Sequence, residues 1–147
     1  MSSPVVDQVR AAQTAARKNR DSDRTLLYST LLSDFGNREI ELGHALSEAE
    51  ALDVIRKAIK RRRESVDAYT KAARTDLADK EAAEIRQLET HLPPAIGEDE
   101  MRAVIKAAFD GGANNLGALM GAVTPGLKAK GADGKRISEI AREVLAG

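Results

Sequence analysis

Apolar residues recur every three or four positions along nearly the whole chain, and this spacing predicts a series of amphipathic helices. Pro4 suits the first turn of a first helix, and the polar stretch 18–21 ends that helix. A second helix is predicted to begin at Ser22 or Asp23. It ends at Gly43, because glycine is the residue that most readily terminates a helix.

The third predicted helix has the clearest start. Ser47 and Glu50 match a capping box, in which each side chain accepts a hydrogen bond from the other residue's backbone amide. A heptad-like seam follows at steps of three and four, with one arginine among its members: Leu52, Ile55, Ile59, Arg62, Val66, Tyr69 and Ala73. A fourth helix is predicted after Thr75-Asp76. Pro93-Pro94 stops it, because proline has no amide hydrogen to donate.

Three shorter helices are predicted beyond the two prolines. The fifth spans Glu98 to Phe109 and ends at Gly111-Gly112. The sixth begins near Leu116 and is expected to be interrupted near Pro125. The seventh carries the last group of apolar residues in the chain, namely Ile137, Ile140, Ala141, Val144 and Leu145.

No segment shows the sustained two-residue alternation of a half-buried strand, so the predicted fold class is all-α. The breaks divide the helices into two bundles. We expect an N-terminal four-helix lobe at residues 1–92, a proline-containing join at 93–97 and a C-terminal three-helix lobe at 98–147.

The composition narrows the chemistry. The 147 residues include 23 basic and 23 acidic side chains and no cysteine, which excludes disulfides, thiolate zinc sites and cysteine nucleophiles. Aromatic residues make up only 3%, which disfavours a surface that stacks on nucleic-acid bases. No phosphate-binding loop, nucleophile elbow or zinc-protease motif occurs, so we expect no catalytic residue, no metal and no cofactor.

The sequence also predicts where the protein resides. No apolar run approaches the roughly 20 residues of a membrane span. The N-terminus lacks a basic segment followed by an apolar one, which is the pattern of a secretory signal. We therefore expect a cytoplasmic protein that does not bind membranes.

Residues 56–63 contain six basic side chains and no acid. On a helix they surround the axis, so they indicate either a solvated collar balanced by nearby acids or a binding contact. That contact would be with an acidic partner or with RNA phosphates, in the latter case through a second basic patch formed by Lys60, Arg61 and Arg63. Arg62 occupies a seam position and needs a carboxylate partner, because an unpaired buried guanidinium is costly. The candidates on the second helix are Asp34, Glu39 and Glu41.

A basic turn precedes the last helix. Gly131 and Gly134 are surrounded by Lys128, Lys130, Lys135 and Arg136, and the exposed amides at a helix start favour an anion such as phosphate. These six residues are the candidate RNA-binding set. The alternative is that Asp133 simply caps the helix and its own carboxylate occupies the anion position.

Five stretches together resemble the YqeY-like family, whose members are related to the tail domain of the GatB subunit of aspartyl/glutamyl-tRNA amidotransferase. They are Lys60–Tyr69, Ala73–Leu77 with Glu84, His91–Pro94, Met120–Val123 and Lys128–Lys135. The resemblance covers nearly the whole chain and implies two helical bundles of four and three helices. Ala73 and His91 depart from the family pattern, which usually has a glycine and an aromatic residue there.

The resemblance also implies a function. The amidotransferase tail domain helps to hold the outer corner of tRNA, while the catalytic cradle domain has no counterpart in this chain. We therefore expect a non-catalytic accessory protein that binds tRNA or another structured RNA. The alternatives are a protein-binding adaptor of an amidotransferase or translation factor, and a participant in glutamine-dependent amide transfer. Family descriptions can carry a label of carbon–nitrogen ligase with glutamine as amido-N-donor.

Overall fold

A computed structural model describes residues 3–147 and contains only α-helices and their connections over that range, which confirms the all-α prediction. The helices are α1 Pro4–Lys18, α2 Ser22–Leu42, α3 Glu48–Lys71, α4 Thr75–Glu89, α5 Glu98–Asp110, α6 Leu116–Ala129 and α7 Gly134–Ala146. Contacts divide the chain between Leu92 and Pro93 into two compact units. None of the helices within the described range is long and apolar enough to cross a membrane.

The N-terminal unit packs α1 to α4 around one hydrophobic core. Its most enclosed side chains are Val9, Leu31, Phe35, Ile55 and Leu88, which come from all four helices. Burying a side chain of this size stabilises the fold by about 1.5–3 kcal/mol relative to leaving it exposed. The core therefore requires all four helices, since each contributes at least one such residue.

The start of α3 confirms the predicted capping box. The Glu50 amide donates to Ser47 Oγ at 3.2 Å, and the Ser47 amide donates to Glu50 Oε1 at 2.9 Å. Hydrogen bonds from the backbone and the side chain of Ser47 lower the pKa of Glu50, because they stabilise its ionised carboxylate. This end of α3 is thus fixed by side chains three residues apart.

The predicted seam of α3 is only partly right. Ile55 and Ile59 are buried as expected, but the buried face also includes three residues outside the seam, namely Ala51, Val54 and Ala58. The face is wider than a coiled-coil seam because α3 packs against helices on more than one side. Ala73 lies beyond the helix, is exposed, and has a φ of +57°.

The C-terminal unit packs α5, α6 and α7 around a separate core. Its fully enclosed side chains are Ile105, Leu119, Leu127, Ile137 and Ile140. Gly111 follows α5, and Gly112 adopts a φ of +113°, a conformation that residues with a side chain rarely adopt. Both glycines stand where the sequence predicts the end of this helix.

The predicted interruption of α6 is wrong, because the helix continues through Pro125. Proline removes one backbone bond, the one that would reach the carbonyl of Gly121 four residues earlier. Both residues are exposed, so water can reach that carbonyl. Val123 and Leu127, buried on either side of the proline, hold the helix against the core across the missing bond.

Candidate nucleic-acid interface

The turn between α6 and α7 is built on backbone bonds around Gly131. The Gly131 amide donates to the Lys128 carbonyl at 3.0 Å, and the Ala132 amide donates to the Leu127 carbonyl at 3.0 Å. Gly131 has a φ of +87°, which the missing side chain makes inexpensive. The chain therefore leaves α6 and enters α7 within four residues, with both helix ends close together.

The start of α7 is capped in part by Asp133. Its carboxylate accepts a hydrogen bond from the Lys135 amide at 3.3 Å, as expected if this residue is a helix cap. The amides of Gly134 and Arg136 have no hydrogen-bond acceptor among residues 3–147. The cap thus satisfies one first-turn amide and leaves two available to an external anion.

Lys128 lies directly against the first residue of α7. A Cβ on Gly134 would stand 3.3 Å from Lys128 Cε and 3.6 Å from its Nζ. Glycine at this position therefore makes room for the lysine side chain. Lys128 and Lys135 are both exposed, and neither forms an ion pair within the described part of the chain.

Arg136 is the most heavily paired cation of the turn. Its Nε donates to Glu98 on α5, and its Nη1 lies 2.8 Å from Glu139 and 3.7 Å from Glu143 on α7. Glu143 also pairs with Arg102 at 2.7 Å. The bond from Arg136 lowers the pKa of Glu98, and the same acids raise the pKa of Arg136.

Lys130 is held more loosely by the same helix α5. Its Nζ lies 3.9 Å from Glu100, and its carbonyl accepts a 3.1 Å bond from the amide of Ile96. Residues 96–100 are therefore attached to the basic turn at three points, counting the Glu98–Arg136 pair. The sequence alone did not reveal these contacts, because the helix dipole already explains why acids stand at the start of a helix.

The six candidate RNA-binding residues lie in the turn between α6 and α7 and in the helix ends on either side of it: Lys128, Lys130, Gly131, Gly134, Lys135 and Arg136. Within residues 3–147, Lys128 and Lys135 form no ion pair, whereas Lys130 and Arg136 pair with acids of α5. Their contact with RNA stays a prediction.

The second basic patch is neutralised in part. Arg61 pairs with Asp34 on α2 at 3.0 Å, and Arg63 pairs with Glu89 on α4 at 3.5 Å. Lys60 is exposed and makes no ion pair within residues 3–147. This arrangement favours the solvated collar over a continuous binding surface.

The predicted partner of Arg62 is wrong. Its Nε donates to Glu84 on α4 at 3.0 Å, and the predicted partner Asp34 is used by Arg61. Successive helical residues differ by about 100° in direction, so Arg61 faces α2 where Arg62 faces α4. The Arg62 and Glu84 side chains are 16% and 23% exposed, which places the pair at the edge of the core.

A second polar contact fixes the end of the N-terminal unit. Tyr28 Oη lies 3.1 Å from His91 Nε2, and the two rings meet edge to face with centroids 5.5 Å apart. Burial lowers the pKa of His91 and raises the pKa of Tyr28. Both shifts favour the neutral forms, as a buried hydrogen-bonded pair requires.

The same unit contains a cleft of about 370 Å³ between α2 and α4. Two of its acids already have internal partners, since Asp21 caps α2 and Glu84 pairs with Arg62. No group of three histidine, aspartate or glutamate side chains within residues 3–147 could hold a metal ion.

Known proteins share this sequence pattern. Residues 6–145 match the family model described as "Yqey-like protein". The chain is 29% identical over 104 residues to "Altered inheritance of mitochondria protein 41, mitochondrial" of Pyrenophora tritici-repentis, covering 67% of this chain and 58% of that protein. It is 30% identical over 76 residues to "Uncharacterized protein C22F3.15" of Schizosaccharomyces pombe, covering 52% of this chain and 62% of that protein.

The matched segments thus span about three fifths of these curated relatives. The family match is broader, because it includes both helical units and the turn between α6 and α7. It confirms the resemblance seen in the sequence, and the chain belongs to the YqeY-like family.

Proposed function

We propose that this protein is a non-catalytic accessory protein that binds tRNA or another structured RNA through the turn between α6 and α7. The contacts come from the side chains of Lys128, Lys130 and Lys135 and from the backbone of Gly131 and Gly134. Arg136 joins them when it leaves its acidic partners. The observation that carries the proposal is the placement of Lys128 against Gly134 at the start of α7.

That placement brings two positive features together. A helix N-terminus carries partial positive charge from its unpaired amides, and a lysine ammonium beside it adds a full charge. An anion bound between them satisfies the amides of Gly134 and Arg136 and the ammonium group at once. Phosphate matches this arrangement in charge and in hydrogen-bond acceptors.

The family relationship supports RNA as the source of the phosphate, since the related tail domain of the amidotransferase is a tRNA-holding module. Few side chains of the turn can reach a base edge, so recognition depends on the position of backbone phosphates. We therefore expect binding to follow RNA shape more than base sequence. The proposal requires no cofactor and no catalytic residue.

The test is the double variant Lys128→Gln, Lys135→Gln, measured with tRNA at several salt concentrations. Each lost phosphate contact reduces the slope of log K against log salt by about 0.9, so the slope should fall by roughly one to two units. The matched control is Lys106→Gln, Arg142→Gln. It removes the same charge from exposed cations of the same unit that form no ion pair within residues 3–147.

Equal slopes and affinities for the parent and the double variant would contradict this proposal. A similar loss in both double variants would indicate a general charge effect without a site. Circular dichroism should show unchanged helicity, because both replaced lysines are exposed.

One observation favours the adaptor as a second candidate function. Leu26 and Ile40 on α2 are large apolar residues with 65% and 81% exposure. A protein partner such as an amidotransferase or translation factor could cover them. The variant Leu26→Ser, Ile40→Ser should then weaken binding to the purified partner and leave tRNA affinity unchanged. Unaltered partner binding would remove this candidate.

The proposed location is the cytoplasm. The name of the Pyrenophora relative describes that protein as mitochondrial, so the alternative location is the mitochondrion. A fluorescently tagged chain expressed in the native host distinguishes the two locations.

A further inference from the structure

We propose that the acidic first turn of α5 is an internal competitor for the RNA site, and that only a ligand with two or more adjacent phosphates displaces it. Glu98 forms an ion pair with Arg136, and Glu100 forms one with Lys130. In the RNA complex, two phosphates would contact these same two cations. This inference rests on the proposed function, and it assigns the site a ligand class and a means of regulation.

The backbone contact at the start of α5 places its acids where they compete with RNA for the basic turn. The amide of Ile96, two residues before α5, donates to the carbonyl of Lys130 at 3.1 Å. That bond fixes the start of α5 beside the basic turn and brings both carboxylates to it. All of these groups lie in the C-terminal unit, so the arrangement is complete within one compact body.

Asp99 shows that the helix dipole alone does not account for the arrangement. It lies between the two glutamates, is exposed, and has the same favourable position in the first turn of α5. Asp99 has no ion-pair partner within residues 3–147, whereas each of its neighbours contacts a cation of the turn. The two glutamates therefore contact the basic turn in addition to complementing the helix.

The Lys130–Glu100 pair is weak, and the Glu98–Arg136 pair reaches the solvent through Glu98, which is 56% exposed. The side chains of Lys130 and Glu100 are 57% and 64% exposed, and exposed ion pairs contribute little because water and salt screen them. A single phosphate can replace one carboxylate but leaves the other in place. An RNA strand replaces both carboxylates together. It also releases the counterions condensed on its backbone, and a free phosphate has no such counterions.

The variant Glu98→Gln, Glu100→Gln tests this directly. With both acids neutral, Lys130 loses its acidic partner on α5, and Arg136 keeps only the two acids of its own helix. Both cations become more accessible to phosphates, so the salt slope for tRNA should become steeper by about one to two units. The affinity should rise roughly tenfold at moderate salt, beyond any gain in the control variant Asp99→Asn. The control makes the same type of change in the same helical turn.

Two further measurements make the test specific. Adding Arg136→Gln to the double variant should remove about half of the gain in slope, because one of the two cations that lost an α5 acid is then absent. Inorganic phosphate should displace tRNA from the parent no better than chloride at the same ionic strength. Displacement at low phosphate concentration would overturn the requirement for adjacent phosphates.

The outcomes separate this inference from the proposed function. If Glu98→Gln, Glu100→Gln binds tRNA like Asp99→Asn while Lys128→Gln, Lys135→Gln binds more weakly than the parent, the competitor is disproved and the RNA site remains. If the parent and all variants fail to bind tRNA, the proposed function is disproved as well. Should the double variant unfold, Glu100→Gln alone provides the test, with an expected gain of about one unit of slope.

Discussion

Arg62 is a charged residue held at the edge of the N-terminal core. Its side chain is only 16% exposed, and Glu84 holds its Nε at 3.0 Å. A second bond runs from Nη1 to the carbonyl of Ala58 at 3.1 Å, so both edges of the guanidinium have acceptors. The pair connects α3 to α4 at a point where the apolar seam is broken.

Replacing this arginine should be costly. Arg62→Ala leaves the half-buried carboxylate of Glu84 without its cation, and we expect a loss of about 2 kcal/mol in the free energy of unfolding. Arg63→Ala is the matched control, because its pair with Glu89 is 3.5 Å long and exposed, and its loss should stay below about 1 kcal/mol. Urea denaturation measures both. Equal losses would show that Arg62 is no more important than its neighbour.

His91 makes the stability of the same unit depend on pH. Burial lowers its pKa below the ordinary value of 6.5, so the unfolded chain binds more protons than the fold between the two values. The stabilisation is fully present above pH 6.5 and is lost as pH falls through the lower folded pKa. His91→Phe should remove this decrease, whereas replacing the exposed His44 should preserve it. Denaturation curves of the parent and the two variants give the comparison. They should run from pH 4.5 to pH 7.5, about two units below and one unit above the ordinary histidine pKa.

Single residues also show where sequence reasoning fails. The need of Arg62 for a carboxylate could be predicted, since a buried charge requires a partner. The partner itself could not, because its identity depends on which neighbouring helix that side of α3 faces. Arg136 is a similar case: its place in a basic turn is visible in the sequence, but its contact with Glu98 joins residues 38 positions apart.

At the scale of helices, the end of α3 contains a removable strain. Ala73 adopts a left-handed conformation while the Arg74 amide closes the helix on the carbonyl of Tyr69 at 2.9 Å. This is the geometry of a glycine-terminated helix, and alanine is costly there because its Cβ crowds the backbone. Alanine at position 73, where the family usually has glycine, therefore strains the backbone.

Ala73→Gly should therefore stabilise the protein by about 0.5–1 kcal/mol, after allowance for the greater freedom of glycine in the unfolded chain. Ala68→Gly, at an exposed position in the last turn of the same helix, should have the opposite sign and cost up to about 1 kcal/mol. Thermal unfolding of the two variants measures this difference. A loss at both positions would mean that residue 73 is not strained.

Replacing Pro125 in α6 should also raise the stability of the protein. Pro125→Ala restores an amide that can donate to the Gly121 carbonyl, and stability should rise by about 1 kcal/mol or more. Pro4→Ala is the control, because Pro4 stands in the first turn of α1, where no helical bond is missing. Calorimetry should show a higher unfolding temperature for the first variant only.

At the scale of the whole molecule, the sequence predicts more of the fold than of the site. The seven helices follow from apolar spacing and from capping residues, which are local signals. The interruption expected at Pro125 fails because core packing outweighs a local breaker. The attachment of α5 to the basic turn could not be foreseen, since it arises from tertiary contacts between charged residues far apart in the chain.

The division at Pro93 leads to a prediction about folding. Each unit has its own core, so residues 1–92 alone should remain helical and unfold cooperatively. Circular dichroism of this fragment, followed through a urea titration, gives the answer. A fragment without helical signal would show that the N-terminal core needs the rest of the chain.

The contact between Tyr28 and His91 also has a spectroscopic use. The chain has no tryptophan, and its two tyrosines, Tyr28 and Tyr69, both lie before Pro93. Ultraviolet emission excited in the tyrosine band therefore originates entirely from the N-terminal unit. The enclosed ring of Tyr28, touching an imidazole, provides a built-in optical probe that follows one unit, while far-ultraviolet ellipticity follows both.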